Sequence, residues 1–322
     1  MKNLIYAAIG IATMTESVSA QLGNTCHALV LSGGGSNGAW EAGVIYGLTH
    51  FDNADEYRYD VVSGVSAGAI NSAGIGVWAP GEEVQGSEKL VSLWADLRDE
   101  DLYIHRPGTK VHAMLVEQSL YDTTPGFATL RGILDEFPDG FKKKVSVSAV
   151  DAGTGKKVIM TDEDIEYKDF HRAVIASASV PGAFPPTQVG DHLLIDGMTA
   201  YNTDTQATID RCKQITGEDE SLITIDIIQV HALDSVEQWD HRSPKAFQNY
   251  MRAHKMKSEF VGSDIVAGVQ RAHPDIRWRH HIHQTNIASG LDELNFTPAV
   301  TGPLIDGGKA DAKTAIAAKF YA

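Results

Sequence analysis

Twice near its N-terminal end the chain runs from a buried-strand pattern through a glycine-rich break into a helical pattern, and this repeated transition limits its possible folds. Residues 27–32 (HALVLS) form a short apolar run with no polar face, as expected of a strand covered on both sides. Gly33-Gly34-Gly35-Ser36-Asn37-Gly38 interrupts it, and residues 39–49 read as a helix. Residues 59–63 read as a second buried strand, Gly64-Val65-Ser66-Ala67-Gly68 as the break, and residues 67–77 as the second helix.

The alternation continues along the chain. Helical spacing covers residues 88–97, and Asp122-Thr123-Thr124-Pro125 reads as a helix start, with a polar cap before proline. Residues 145–150 and 157–160 are expected to pair as strands around the turn at 151–155. Residues 170–179 are helical, and residues 193–195 make a short strand that ends at Asp196-Gly197. Residues 222–230 read as a strand, residues 243–272 as a long polar helix, and residues 310–320 as an alanine-rich helix. Strands alternating with helices predict an α/β fold with a mostly parallel sheet covered on both faces. With no repeat or linker in evidence, residues 21–322 are taken as one domain.

The first twenty residues are set aside. Lys2 gives a small basic start, residues 4–12 are almost wholly apolar, and Val18-Ser19-Ala20 has the small-x-small ending of a cleavage site. Residues 1–20 therefore read as a signal peptide, with a secreted, endomembrane or lysosomal-lumen destination expected. The run is too short to span a bilayer, and no later stretch is long enough. In an oxidising compartment Cys26 and Cys212 form either one bridge or two buried thiols.

Charge and size narrow the function. Of 322 residues, 43% are apolar, enough for a substantial core. A formal net charge of −15 argues against nucleic acid as a partner and disfavours strongly anionic membranes.

Gly64-Val65-Ser66-Ala67-Gly68 is G-x-S-x-G between strand and helix, the setting in which a sharp turn lifts a serine above the sheet edge as a nucleophile. An acyl-transfer serine also needs donors for an oxyanion, and the backbone amides of Gly33, Gly34 and Gly35 offer them. Gly33-x-Gly35-x-x-Gly38 also matches the dinucleotide fingerprint. That reading needs an acid at the end of the second strand, and Asp60 stands at its beginning.

The serine needs a base. Asp196 is best placed, because an apolar strand delivers it to a loop where Gly197 leaves space. Asp306, in the similar stretch Leu304-Ile305-Asp306-Gly307-Gly308, is the competing carboxylate and is expected in a loop leading into a helix. Of thirteen histidines, His231 is the best placed for a Ser-His-Asp triad. His280, His281 and His283 fall on an alternating edge-strand pattern. His281 and His283 share a face, but no third metal ligand accompanies them, so no metal and no cofactor are expected.

These residues carry a family likeness: the chain resembles the patatin-like phospholipases. The shared features are G-G-G-x-x-G at residues 33–38, G-x-S-x-G at 64–68, Ala176-Ser177-Ala178-Ser179-x-Pro181 with Phe184-Pro185-Pro186, and Asp196-Gly197 with Asn202 beyond. The resemblance implies a three-layer α/β/α fold and lipid acyl hydrolysis by a Ser-Asp dyad without histidine. Ser66 is then the nucleophile, Asp196 the base, and Gly33, Gly34 and Gly35 the oxyanion hole, with Gly38, Gly64, Gly68 and Gly197 supporting the turns. The implied substrate is a lipid or phospholipid met at a membrane or micelle interface. Two departures are visible: Asn37 where the family carries Arg or Lys, and Met198 after Asp196-Gly197 where it carries Gly or Ala. The alternatives are a Ser-His-Asp esterase and a low-activity lipid-binding or storage protein of the same fold. An aspartate base titrating near 4 is expected to keep the enzyme active at mildly acidic pH.

Overall fold

Strand β1 (Cys26–Leu31) is the middle strand of the parallel part of the sheet, and its apolar residues divide between two faces as strand periodicity requires. Leu29 and Leu31 face one core, shared with helices α1 (Gly38–Phe51), α2 (Ala67–Gly76) and α3 (Glu83–Asp96). Ala28 and Val30 face a second core on the other side of the sheet. The computed structural model describes residues 24–108, 112, 116–230, 246–284 and 293–319. The expected leader at residues 1–20 and His231 lie outside the described residues.

Strands β2 (Val61–Val65), β5 (Lys144–Asp151), β9 (Ile223–Gln229) and β10 (Arg277–His283) join β1 in a parallel array of order β10-β9-β1-β2-β5. Three antiparallel strands complete the eight-stranded sheet: β6 (Lys157–Thr161), β7 (Thr187–Val189) and β8 (His192–Asp196). Strands β3 (Ile104–His105) and β4 (Tyr121–Asp122) pair separately. Helices α4 (Thr124–Asp135) and α5 (Phe170–Ser177) join the first core, while α6 (Thr205–Thr216) and α7 (Ala246–Ala272) cover the second with Ile209 and Val266. The result is the expected three-layer α/β/α fold with a mostly parallel sheet. Among the described residues no helix is long and apolar enough to cross a membrane.

One junction in this sheet determines where the site forms. Ser146, Val147 and Ser148 of β5 pair with both β2 and β6, so those strands lie on opposite edges of β5. Ala149 and Val150 pair with both β6 and β8, so β8 shares an edge with β2. Val65 ends β2 opposite Ser148, and Asp196 ends β8 opposite Ala149, the next residue. Two strands from distant parts of the chain thus meet end to end.

Helix α8 (Pro298–Lys319) packs against α1 and corrects the loop expected at residues 304–308. The helix continues through Pro303 and the glycines, which serve helix contact instead of a turn. A Cβ on Gly308 would lie 2.1 Å from the Trp40 carbonyl oxygen, and one on Gly43 would lie 2.2 Å from that of Ile305. Only bare backbone permits this approach.

Cys26 of β1 and Cys212 of α6 form a disulfide with their Cα atoms 5.5 Å apart, tying the central strand to the second helical layer. It closes a loop across a sequence separation of 186, a long constraint on the unfolded chain. Reduction, or the paired change Cys26→Ala with Cys212→Ala, is expected to lower stability by about 2–5 kcal/mol, measured by denaturant unfolding with and without reductant.

Candidate active site

Ser66 joins β2 to α2 with φ 54° and ψ −117°, a positive-φ conformation that costs a non-glycine residue on the order of 1–3 kcal/mol. Its neighbours must be small for the turn to close. A Cβ on Gly64 would lie 2.0 Å from the Gly68 carbonyl oxygen, and one on Gly68 would lie 2.6 Å from that of Ser32. Hydrogen bonds hold the turn in place. The Ser66 amide donates to Ser177 Oγ at 2.9 Å, and Ser177 Oγ donates to the Ser148 carbonyl at 2.7 Å. The serine of the Ala176-Ser177-Ala178-Ser179 segment therefore clamps the turn to β5.

Asp196 arrives from the facing strand end. Ser66 Oγ donates to Asp196 Oδ2 at 2.7 Å, and the Met198 amide donates to Oδ1 at 2.8 Å. The Asp196 amide in turn donates to the Ser179 carbonyl at 2.9 Å, so the same segment fixes both residues. Both are buried, with exposures of 4% for Ser66 and 1% for Asp196. Burial raises the Asp196 carboxyl to about 7; the bonds from Ser66 and Met198 oppose this rise, and the Glu293 carboxylate adds to it. Glu293 also places its main-chain carbonyl against Gly35, where a Cβ would lie 2.2 Å from that oxygen.

The glycine loop lies beside the serine: a Cβ on Gly33 would come within 3.1 Å of the Ser66 Cβ. Its three amides are not equivalent, in contrast to the expectation of three open donors. The Gly33 amide donates to the Asn202 carbonyl at 3.1 Å and to Asn202 Oδ1 at 3.0 Å, while Asn202 Nδ2 donates to the Gly33 carbonyl at 3.1 Å. Gly33 is thus a brace. Among the described residues the amides of Gly34 and Gly35, and that of Ala67 at the start of α2, have no protein acceptor. They lie near the positive end of the α2 dipole, which favours an anion there. Asn37 supplies no charge but holds the loop, donating from Nδ2 to the Gly34 carbonyl at 2.9 Å and accepting from Gln284 Nε2 at 3.0 Å.

A buried polar network supports the loop from behind. Glu41 Oε1 accepts from the Ser32 amide at 2.9 Å, and Glu41 Oε2 accepts from Asn71 Nδ2 at 2.9 Å. Asn71 Oδ1 accepts from Trp94 Nε1 at 2.6 Å. Burial raises the Glu41 carboxyl to about 8 against the pull of these donors.

The other sequence candidates fall elsewhere. Asp306 is on an exposed face of α8, its side chain 81% accessible and 3.9 Å from Lys309. His280 Nε2 bonds the Tyr57 hydroxyl at 3.2 Å, and His281 Nε2 bonds Gln229 Oε1 at 2.9 Å, both on β10 at the sheet edge. Among the described residues no group of three His, Cys, Asp or Glu side chains is arranged to hold a metal ion. Glu41, Asn71, Trp94 and Glu293 were not singled out from the sequence. None belongs to a local motif, and only folding brings them to the loop.

Ser177→Ala is expected to strip the Ser66 amide and the Ser148 carbonyl of a buried partner, lowering stability by about 2–3 kcal/mol in equilibrium unfolding.

Among curated proteins none matches the chain. Of solved structures, the chain is similar to VipD from Legionella pneumophila, at 14% identity and TM-score 0.43 over 92% of this chain and 67% of that one. It is also similar to the ExoU-SpcU heterodimeric complex from the type III secretion system of Pseudomonas aeruginosa, at 14% identity and TM-score 0.31 over 78% of this chain and 58% of the matched one. The family model for "Patatin-like phospholipase" matches residues 29–209, more than half the chain, from β1 through Ser66 and Asp196 into α6. With both motifs and the strand junction inside that span, the chain belongs to the patatin-like phospholipase family.

Proposed function

We propose that the protein is a lipid acyl hydrolase that cleaves fatty acyl esters through a Ser66-Asp196 dyad. The observation that carries this reading is the 2.7 Å bond from a strained, buried serine hydroxyl to a buried carboxylate. Ser66 Oγ attacks the ester carbonyl carbon as its proton passes to Asp196 Oδ2. The amides of Gly34, Gly35 and Ala67 receive the oxyanion, with Gly33 holding the loop through Asn202. The tetrahedral intermediate collapses with cleavage of the carbonyl carbon–oxygen bond, and the alcohol or lysolipid leaves with the proton from Asp196. Water, deprotonated by the same carboxylate, then releases the fatty acid.

The raised carboxyl changes the pH behaviour expected from an ordinary aspartate. A carboxyl near 7 is a stronger base than one near 4, but it is protonated in mild acid, so the expected acid activity gives way to a neutral-to-alkaline profile. A pH limb near 7 resembles that of a histidine, so variants must separate the dyad from a triad. Among the described residues neither Ser66 Oγ nor Asp196 bonds a histidine. A lipid substrate presented at a membrane or micelle surface and export through the N-terminal segment are part of the same proposal.

Turnover of phospholipid and short-chain esters tests it. Ser66→Ala and Asp196→Asn are each expected to lower kcat by about 10⁴-fold or more, with Asp306→Asn and His231→Ala close to wild type. A fluorophosphonate should label wild type and not Ser66→Ala. Loss of activity in His231→Ala with retention in Asp196→Asn would establish a triad instead, and absence of labelling would favour a lipid-binding role. The profile of kcat/KM should fall about tenfold per pH unit below about 7. Glu293→Gln, which removes a like charge, should move that limb to lower pH.

A further inference from the structure

A largely apolar cavity of about 280 Å³ lies between α2, α3, α4 and α5; neither Ser66 nor Asp196 lines it, and it shares only Trp94 with the network behind the glycine loop. Its walls include Ile70, Ala73 and Gly74 of α2, Leu90 and Trp94 of α3, and Ile133 of α4, with charged contributions from Lys89, Asp96 and Asp101. Lys89 is already paired, 2.7 Å from Glu136. The cavity is partly open to solvent, and its largely apolar walls are suited to hydrocarbon.

Three of its walls lead back to Ser66. Helix α2 begins at the residue after Ser66, and Ile70 lies one turn along it. Helical side chains lean toward the N-terminus, so Ile70 covers the turn nearest the serine. Trp94 packs against the glycine loop and donates to Asn71, whereas Gly74 faces Leu90. The antiparallel run of α2 against α3 therefore gives the cavity a near end at Ile70 and Trp94 and a far end at Gly74 and Leu90. Helix α5 contributes Val174 to the wall and, one turn later, Ser177 to the Ser66 amide.

We infer that this cavity receives the fatty acyl chain of the ester attacked by Ser66, and so sets chain-length preference. The inference rests on the hydrolase reading above. Each methylene buried should raise kcat/KM about threefold to fourfold until the space is full.

The test is a series of p-nitrophenyl esters from acetate to palmitate. Wild type is expected to gain with length and then level off once the chain fills the cavity. Ile133→Trp should bring the plateau forward by two or more carbons with butyrate turnover retained, and Ile133→Ala should extend it. Decanoate binding, measured by calorimetry on wild type and on Ser66→Ala, should be weakened at least tenfold in Ile133→Trp and not in Ile133→Ala. Profiles of both Ile133 variants that overlay wild type, or decanoate binding unchanged by Ile133→Trp, would overturn the assignment. Failure of the hydrolase reading registers separately, as butyrate-ester turnover that survives Ser66→Ala, and removes the acyl-chain assignment with it.

Discussion

The site depends on one edge of β5 being shared by two strands. Strand β2 uses that edge as far as Ser148 and runs parallel; β8 takes it over at Ala149 and runs antiparallel. Their terminal residues therefore point at a common place, and the chain beyond each must turn away. Ser66 follows one terminus and Asp196 is the other. The 130-residue separation between them is bridged by hydrogen bonds of the sheet, which are rigid and directional, and not by a flexible loop. A helix-borne or loop-borne carboxylate would have to be positioned by side-chain packing alone.

The junction leaves polar groups where water cannot reach them, and the fold satisfies most of them by reusing a few side chains. Ser177 serves the Ser66 amide and the Ser148 carbonyl together. Asn202 closes on Gly33 at both its amide and its carbonyl. Glu41 and Asn71 link the end of β1 to α2 and α3. A positive φ at Ser66 persists because these partners over-determine its position; removing any one leaves a buried donor or acceptor exposed to a full desolvation penalty.

What could be read from the sequence was what short-range chemistry encodes. The G-x-S-x-G turn, the glycine loop and the Asp196-Gly197 strand end are local patterns, and the buried strands around them have no polar face to confuse their assignment. The open choice between a bridge and two thiols at Cys26 and Cys212 needed a distance that spacing does not contain. Residues 304–308 misled for a related reason. Glycine beside proline signals a turn locally, but here Gly308 meets the backbone of α1, a contact defined only by tertiary packing. Glu41 and Glu293 are likewise ordinary acids in sequence. Burial alone gives the first its high proton affinity, and position beside Asp196 gives the second its influence.

In the proposed dyad a carboxylate takes the place where many serine hydrolases use an imidazole, and burial raises its proton affinity. Moving the Asp196 carboxyl from its ordinary 3.8 to about 7 corresponds to roughly 4 kcal/mol of differential interaction between its two protonation states. That energy has a sign. Between those two values the folded chain holds a proton that the unfolded chain has released, so this group favours the fold in acid and its contribution disappears as pH rises through about 7. Glu41, raised from 4.5 to about 8, acts in the same direction. The ionised Asp196 that the proposed mechanism requires is therefore the form the fold stabilises least. Desolvation both raises the proton affinity of the proposed base and disfavours its ionised form, and the hydrogen bonds from Ser66 and the Met198 amide oppose that effect.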